Sequence, residues 1–350
     1  MTRPKTSTSA IRRRLLTGML CGAASIGAPR LAKANGRKRI LMITYRGLTD
    51  AESGFRHYLA ASGFTGEILY RDLNQNISRL PAVLDEIDRL SPDLIYTWGT
   101  PITLGVAGTY DAPDPSGKLR GIPVVFALVT SPLGARIVPS LETPGRAVTG
   151  VIHVVPTERQ LRFISTYRNF EKIGLLYSST ERNSQVIAQE ISGLCAVDNK
   201  IALHKTFKLD AQGRPTSEGI TDMIADLRAE GAEWLYLAPD TYLGTVYDRV
   251  LPACLAQRLP TFGAAELAVR QYTALTGMIS RYFSIGQLAA VKALQMLEQG
   301  SSANIPIETL RRFTIVLNIN TAHALGFYPP LDLLSHMEIV RHTPPDYSST

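Results

Sequence analysis

Short apolar runs alternate with amphipathic stretches along most of the chain, and the most continuous run, residues 122–129 (IPVVFALV), has no polar interruption. A strand covered on one face alternates apolar and polar positions, whereas an unbroken Val- and Phe-rich run suits a strand buried on both faces of a parallel sheet. It ends at Thr130, Ser131 and Pro132, hydroxyls and a helix-starting proline of the kind found where a parallel strand borders a ligand crevice. Pro144-Gly145 then marks a turn, and Val148-Thr149-Gly150-Val151 a short extended segment that reads as a crossing between domains.

The same alternation predicts a strand at 39–45, a helix at 53–62 closed by Gly63, a strand at 67–70, a helix at 77–90, a strand at 94–98 and a helix at 101–108. After the crossing the pattern restarts. Helices are predicted at 157–167, 183–194, 220–230 and 242–257, and strands at 172–177, 201–208, 234–238 and 260–263. Strand–helix repeats of this spacing predict an α/β protein with two doubly wound parallel sheets, one per lobe. A strand at 274–279, a long helix at 284–299, a strand at 314–318 and a helical turn at 321–325 complicate the division. The expected organisation is lobe 1 over 35–152 with a return at roughly 279–312, lobe 2 over 153–278 with a C-terminal part at roughly 313–340, and a tail at 341–350. Several hinge crossings would restrict the lobes to opening and closing about a small ligand.

Charge changes the picture at one end only. Seven of the 37 Lys and Arg residues, and no Asp or Glu, fall in residues 1–34, leaving 30 basic against 30 acidic residues in the remainder. Arg12-Arg13-Arg14, an apolar run too short to span a membrane, and Ala32-Lys33-Ala34 read as a twin-arginine-like export signal cleaved after about Ala34, which implies a periplasmic protein. The neutral remainder gives no electrostatic basis for nucleic-acid binding. Cys195 and Cys254 read as two buried thiols, with a disulfide permitted in an oxidising compartment.

Catalytic chemistry finds little support. There is no G-x-S-x-G elbow, no H-E-x-x-H and no glycine-rich phosphate loop, so no enzyme activity and no cofactor are expected. The six histidines lie far apart without metal-ligand spacing, and each reads as a surface or loop residue. In parallel sheets ligands sit beyond the carboxyl ends of the strands, which selects Tyr45, Trp98, Thr100, Thr130 and Ser131 in the first lobe and Ser178, Ser179, Asn183, Asp240 and Glu266 in the second. Tyr45 and Trp98 offer flat faces for an aromatic ligand, although core packing accounts equally well for Trp98. Residues 178–183 could receive an anion at a helix start or simply cap it, and Asp240 could accept from an ammonium group or cap the helix after it. Arg46 and Arg281 could pair with an anionic ligand, although for either alone a solvated surface arginine is the plainer reading.

Seven ordered blocks carry a resemblance across nearly all of the chain after residue 34: IPVVFALVTSP from Ile122, PGRAVTGV from Pro144, KIGLLYSSTERNS from Lys172, LYLAPDTY from Leu235, RYFSIGQLAA from Arg281, NIPIETLRRFTIVLNINTAHALGF from Asn304 and YPPLDLLSHMEIV from Tyr328. In these the chain resembles the type I periplasmic substrate-binding proteins of ABC transporters, and within them the subfamily that includes binders of tryptophan and other aromatic amino acids. The resemblance implies a monomeric solute-binding protein that closes on a small amino-acid-like or aromatic and anionic ligand and presents it to an inner-membrane permease. A periplasmic sensor subunit for a signalling receptor is the alternative. It also implies that Asp240 faces the ligand. The family usually reads Asp where this chain has Ser131, and Gly-Asn where it has Arg146-Ala147. It often has an acidic residue and Tyr near Arg281-Tyr282-Phe283, so the implied cleft has lost a carboxylate and suits an ammonium group less.

Overall fold

A computed structural model describes residues 37–300 and 305–343. The predicted export signal and the end of the tail lie outside the described residues. Two sheets organise the chain. The first has strands in the spatial order Glu308–Thr309, Val148–Ile152, Val124–Val129, Leu94–Trp98, Arg39–Thr44 and Glu67–Asp72, every neighbouring pair parallel. The second runs Glu338–Val340, Thr314–Asn318, Thr276–Ile279, Thr261–Gly263, Trp234–Leu237, Lys172–Tyr177 and Ile201–Thr206. Its pairs are parallel except for Thr276–Ile279 against Thr314–Asn318, so this sheet is mixed rather than purely parallel.

Strands Arg39–Thr44, Leu94–Trp98, Val124–Val129 and Trp234–Leu237 are buried almost throughout, as expected of central strands covered by helices on both faces. One local irregularity was not evident in the apolar run. Register slips between Phe126 and Val129, and Leu128 sits in the left-handed region at φ 60°. A bulge with a non-glycine residue at positive φ is strained backbone, and such strain concentrates at functional sites.

Three segments pass between the sheets: after Val148–Ile152, between Thr276–Ile279 and the helix Tyr282–Gln299, and between Glu308–Thr309 and Thr314–Asn318. The helix Tyr282–Gln299 packs on the first sheet's core through Ile285, Ala289, Ala290, Ala293 and Met296. It also meets the helix Asp50–Ala61 at backbone distance. A Cβ on Gly286 would lie 1.8 Å from the Ala51 carbonyl oxygen, and one on Gly54 would lie 1.9 Å from that of Phe283. Buried Lys292 donates to the Pro306 carbonyl and the Glu308 carboxylate, tying this helix to the edge strand.

Two stretches predicted as single helices are broken. Residues 77–90 form a 3-10 turn, Ile77–Arg79, and two short helices, Leu80–Asp85 and Ile87–Leu90. The stretch from Tyr242 divides into Leu243–Thr245 and Tyr247–Ala256. Cys195 and Cys254 are separate, buried thiols. Among the described residues no helix is long and apolar enough to cross a membrane, and no group of three His, Cys, Asp or Glu is placed to hold a metal ion.

Candidate functional site

A cavity of about 380 Å³ lies between the carboxyl ends of the two sheets. From the first sheet it takes Arg46 after Arg39–Thr44, Trp98 and Thr100 after Leu94–Trp98, and Leu128 and Thr130 at the bulged end of Val124–Val129. From the second it takes Asp240 after Trp234–Leu237, Glu266 after Thr261–Gly263, and Asn183 in the first turn of the helix Arg182–Val197. His153 and Tyr282, each beside a crossing, complete the wall. The helix Asp50–Ala61 reaches the rim through Thr49, whose capping box with buried Glu52 fixes the helix start. Glu52 in turn accepts the Tyr96 hydroxyl at 2.5 Å.

Buried polar groups are normally hydrogen-bonded, yet five side chains lining this cavity carry a buried polar atom with no protein partner: Arg46 Nε, Trp98 Nε1, Thr100 Oγ1, His153 Nδ1 and Asn183 Oδ1. The distribution has a polarity. The N–H donors Arg46 Nε and Trp98 Nε1 and the Thr100 hydroxyl stand on the first lobe. The acceptor Asn183 Oδ1 and the carboxylates Asp240 and Glu266 stand on the second, while Asp50 adds a carboxylate to the first-lobe wall and Arg270 a guanidinium to the second. Asn183 is oriented by its own amide, because Nδ2 donates to the Pro239 carbonyl at 2.9 Å and so turns Oδ1 the other way.

Arg46 also joins the lobes directly. Its guanidinium donates to the Gly244 and Thr241 carbonyls, each at 2.9 Å, and lies 5.1 Å over the Trp98 ring. Trp98 is stacked on Tyr45 at 6.1 Å with an interplanar angle of 16°. The loop that Arg46 grips is held from behind by Glu181, which accepts from the Thr241 and Tyr242 amides at 3.0 and 2.9 Å. Burial, and then the nearby Asp240 carboxylate, push Glu181 up to about 8.

Asp240 combines a place in the cavity wall with hydrogen bonds that fix the loop after its strand. It lines the cavity, and it accepts from the Ser178 and Leu243 amides, both at 2.7 Å, and from the Ser184 hydroxyl at 2.6 Å. Burial raises its pKa against those hydrogen bonds. Glu266 accepts from the Tyr282 amide and lies 3.4 and 3.5 Å from Arg270 and Arg281, with burial again raising its pKa.

The predicted residues divide accordingly. Trp98, Thr100, Thr130, Asn183, Asp240 and Glu266 come together around the cavity. Tyr45 stands behind Trp98 and faces a neighbouring cavity. Ser131 does not reach the cavity, and its hydroxyl turns back to accept from the Gly134 amide at 3.2 Å. Ser178 and Ser179 shape the loop before the helix: the Ser178 amide serves Asp240, and the Ser179 carbonyl accepts from Gln185. Arg281 lies outside the cavity, between Glu266 and Glu338, the latter at 3.3 Å. Arg146 is structural, donating to the Ala107, Gly108 and Ile137 carbonyls.

Sequence reasoning missed His153, Tyr247, Tyr282 and Gln271, and gave Arg46 less weight than its bridging position warrants. His153 stands in the loop after Val148–Ile152, within the reading of the histidines as surface or loop residues, but it is buried there rather than exposed. It is 6 % exposed and lines the cavity, and burial pushes it down to about 4, which leaves it neutral at ordinary pH. Its position directly after a crossing strand was the available signal.

Comparison with known proteins gives three kinds of likeness. The profile of the family described as "ABC transporter substrate binding protein" matches residues 40–338. A curated relative, the tyrosine-binding protein of Clostridioides difficile strain R20291, is 24% identical over 289 residues, covering 81% of this chain and 79% of that protein. Among solved structures, an ABC domain in complex with L-Trp from Streptococcus pneumoniae is 20% identical with a TM-score of 0.73, covering 86% of this chain and 99% of that one. A conserved domain protein from Vibrio cholerae is 22% identical with a TM-score of 0.75 at the same coverages. At these identities the structural likeness speaks to the fold alone.

Proposed function

The chain belongs to the ABC transporter substrate-binding protein family, and we propose that it is an extracytoplasmic receptor that closes on an aromatic α-amino acid and delivers it to a membrane permease. The family is one of binding proteins rather than enzymes, and a small-molecule ligand is its business. The observation that carries the choice of ligand is the distribution of buried polar atoms without a partner among the lining residues: two N–H donors and a hydroxyl on one lobe, and an amide oxygen on the other beside the Asp240 and Glu266 carboxylates. A zwitterion laid across the cleft supplies the opposite end to each wall, its carboxylate to Trp98 Nε1, Arg46 Nε and the Thr100 hydroxyl, its ammonium to Asn183 Oδ1, Asp240 and Glu266. Leu48, Leu128, Leu267, Tyr247 and the Trp98 ring give the remaining surface an apolar character suited to a side chain of aromatic size. The tyrosine-binding relative and the L-Trp complex support the same class.

A ligand that touches both lobes binds the closed arrangement better than the open one and shifts the population toward closure. The protein then needs no new contacts beyond those Arg46 already makes between the lobes. A dissociation constant in the micromolar range corresponds to about −8 kcal/mol. Residues 1–34 would be removed on export.

The test is the melting temperature of the protein without residues 1–34 against a panel of ligands. A hundredfold excess over Kd of L-Trp, L-Tyr or L-Phe adds about 2.7 kcal/mol of stability, which is read as a rise of several degrees, whereas arabinose and ribose leave the midpoint in place. A rise with the sugars and none with the aromatic amino acids would sink the proposal.

A further inference from the structure

A second cavity, of about 700 Å³, lies in the same cleft and shares Thr100, Asn183 and Thr241 with the first. The cleft is therefore two chambers meeting at a waist that has one wall from each lobe. We propose that the outer chamber is a subsite for the second residue of a dipeptide whose first residue is aromatic. This rests on the reading of the inner chamber as an aromatic amino-acid site and extends its substrate class.

The waist carries the inference. Thr100 and Asn183 are only 2 % and 3 % exposed, each lines both chambers, and each carries a buried side-chain oxygen with no partner. Asn183 Oδ1 is committed as an acceptor by the bond from its amide nitrogen to the Pro239 carbonyl. The Thr100 hydroxyl has no partner and is free to rotate and donate. One acceptor and one donor on opposite walls are the complement of a single peptide group, its N–H toward Asn183 and its C=O toward Thr100. Beyond the waist, one wall of the outer chamber is formed by Tyr45 and Leu104, and the other carries Arg182. A short side chain packs on the first; Arg182, whose Nε donates to the Gly134 carbonyl at 3.2 Å, keeps its two terminal nitrogens for the dipeptide's terminal carboxylate, which lies on the Arg182 side of a chamber that Glu181 and Asp210 also line. Nothing covalent takes place, since both ends of the ligand are held by hydrogen bonds and ion pairing.

Calorimetric titration of L-Trp and of L-Trp-Gly into the protein without residues 1–34 tests this, alone and in two variants that fill the outer chamber. Leu104→Trp does so from a half-buried wall and Ser78→Trp from the exposed 3-10 turn Ile77–Arg79, so that the second remains informative if the first fails to fold. The expected result is that L-Trp-Gly binds at least as tightly as L-Trp, and that a folded filling variant loses tenfold or more in dipeptide affinity while its L-Trp affinity stays within twofold. Binding of L-Trp with L-Trp-Gly a hundredfold weaker or undetectable overturns the two-chamber proposal and leaves the amino-acid reading standing. Equal losses for both ligands in the variants also overturn it. Binding of the dipeptide alone upholds the outer subsite and overturns the free amino acid as ligand. Binding of neither overturns both.

Discussion

At the residue scale the site is marked by what its side chains leave undone. Thr100 is buried with an unused hydroxyl, a feature that costs stability unless something else supplies the partner. The isosteric change Thr100→Val removes that unused group without opening a cavity. The ligand-free variant should therefore melt at the same temperature or gain up to about 1 kcal/mol, while affinity for an aromatic amino acid falls about tenfold, since one hydrogen bond to a charged group is worth roughly 1.5–3 kcal/mol. A loss of stability with unchanged affinity would place the hydroxyl in the fold rather than in the site. Glu181 gives a second test at this scale. Its folded-state pKa of about 8 lies above its ordinary value of 4.5, so the folded protein holds the extra proton and loses stability as pH rises between those values. His153 works in the opposite sense between about 4 and 6.5, because the unfolded chain then holds the proton. The two effects oppose each other up to pH 6.5, and the fall should emerge from there to about pH 8. Glu181→Gln should flatten it, as read from denaturant midpoints at pH 6.5, 7.25 and 8; a slope equal to the wild type's would remove Glu181 as its source. Residues such as Asp240 and Trp98 were legible as cavity-lining candidates because they stand at or just beyond the carboxyl ends of recognisable strands. Arg46 and His153 were undervalued because their roles depend on walls formed by elements remote in the chain.

At the scale of elements, the buried strands were legible because continuous apolar runs have few alternatives once their length is short and turns flank them. The edge strands Glu308–Thr309 and Glu338–Val340 were not, because two or three partly polar residues at a sheet margin carry no periodic signal. The bulge at Leu128 was equally silent, since register belongs to a pair of strands and not to either alone. Beyond that strand Thr130 still lines the cavity, whereas Ser131, one residue further, turns its hydroxyl to the Gly134 amide instead. The long helix Tyr282–Gln299 was expected as an amphipathic helix, but its glycine contact with Asp50–Ala61 was not. That contact fixes how the returning segment sits on the first sheet, and thereby where Tyr282 and the rim at Thr49 stand. Gly286→Ala cannot be accommodated by a side-chain shift because the obstructing atoms are backbone. It should cost about 3 kcal/mol or more, read as a lowered urea midpoint; a midpoint unchanged from the wild type would show that the helices separate freely.

At the scale of the whole molecule, two sheets, three crossings and a cavity at the facing carboxyl ends follow from one strand–helix repeat used twice. The second sheet's antiparallel pairing arises where the chain returns from the first sheet and enters it from the opposite end. Arg46 joins the two lobes by donating to the Gly244 and Thr241 carbonyls, and on the proposed function the ligand's part is to fill the unpartnered positions on both walls. The claim that stands or falls with this is that both ends of a zwitterion are read, one by each lobe. Calorimetric titration of L-Trp beside tryptamine, which lacks the carboxylate, and indole-3-propionate, which lacks the ammonium, separates the two ends with the ring held constant. The account predicts micromolar binding of L-Trp and at least about tenfold weaker binding of each truncated ligand, a loss of about 1.4 kcal/mol or more per missing end. Binding of either truncated ligand as tight as that of L-Trp would contradict it.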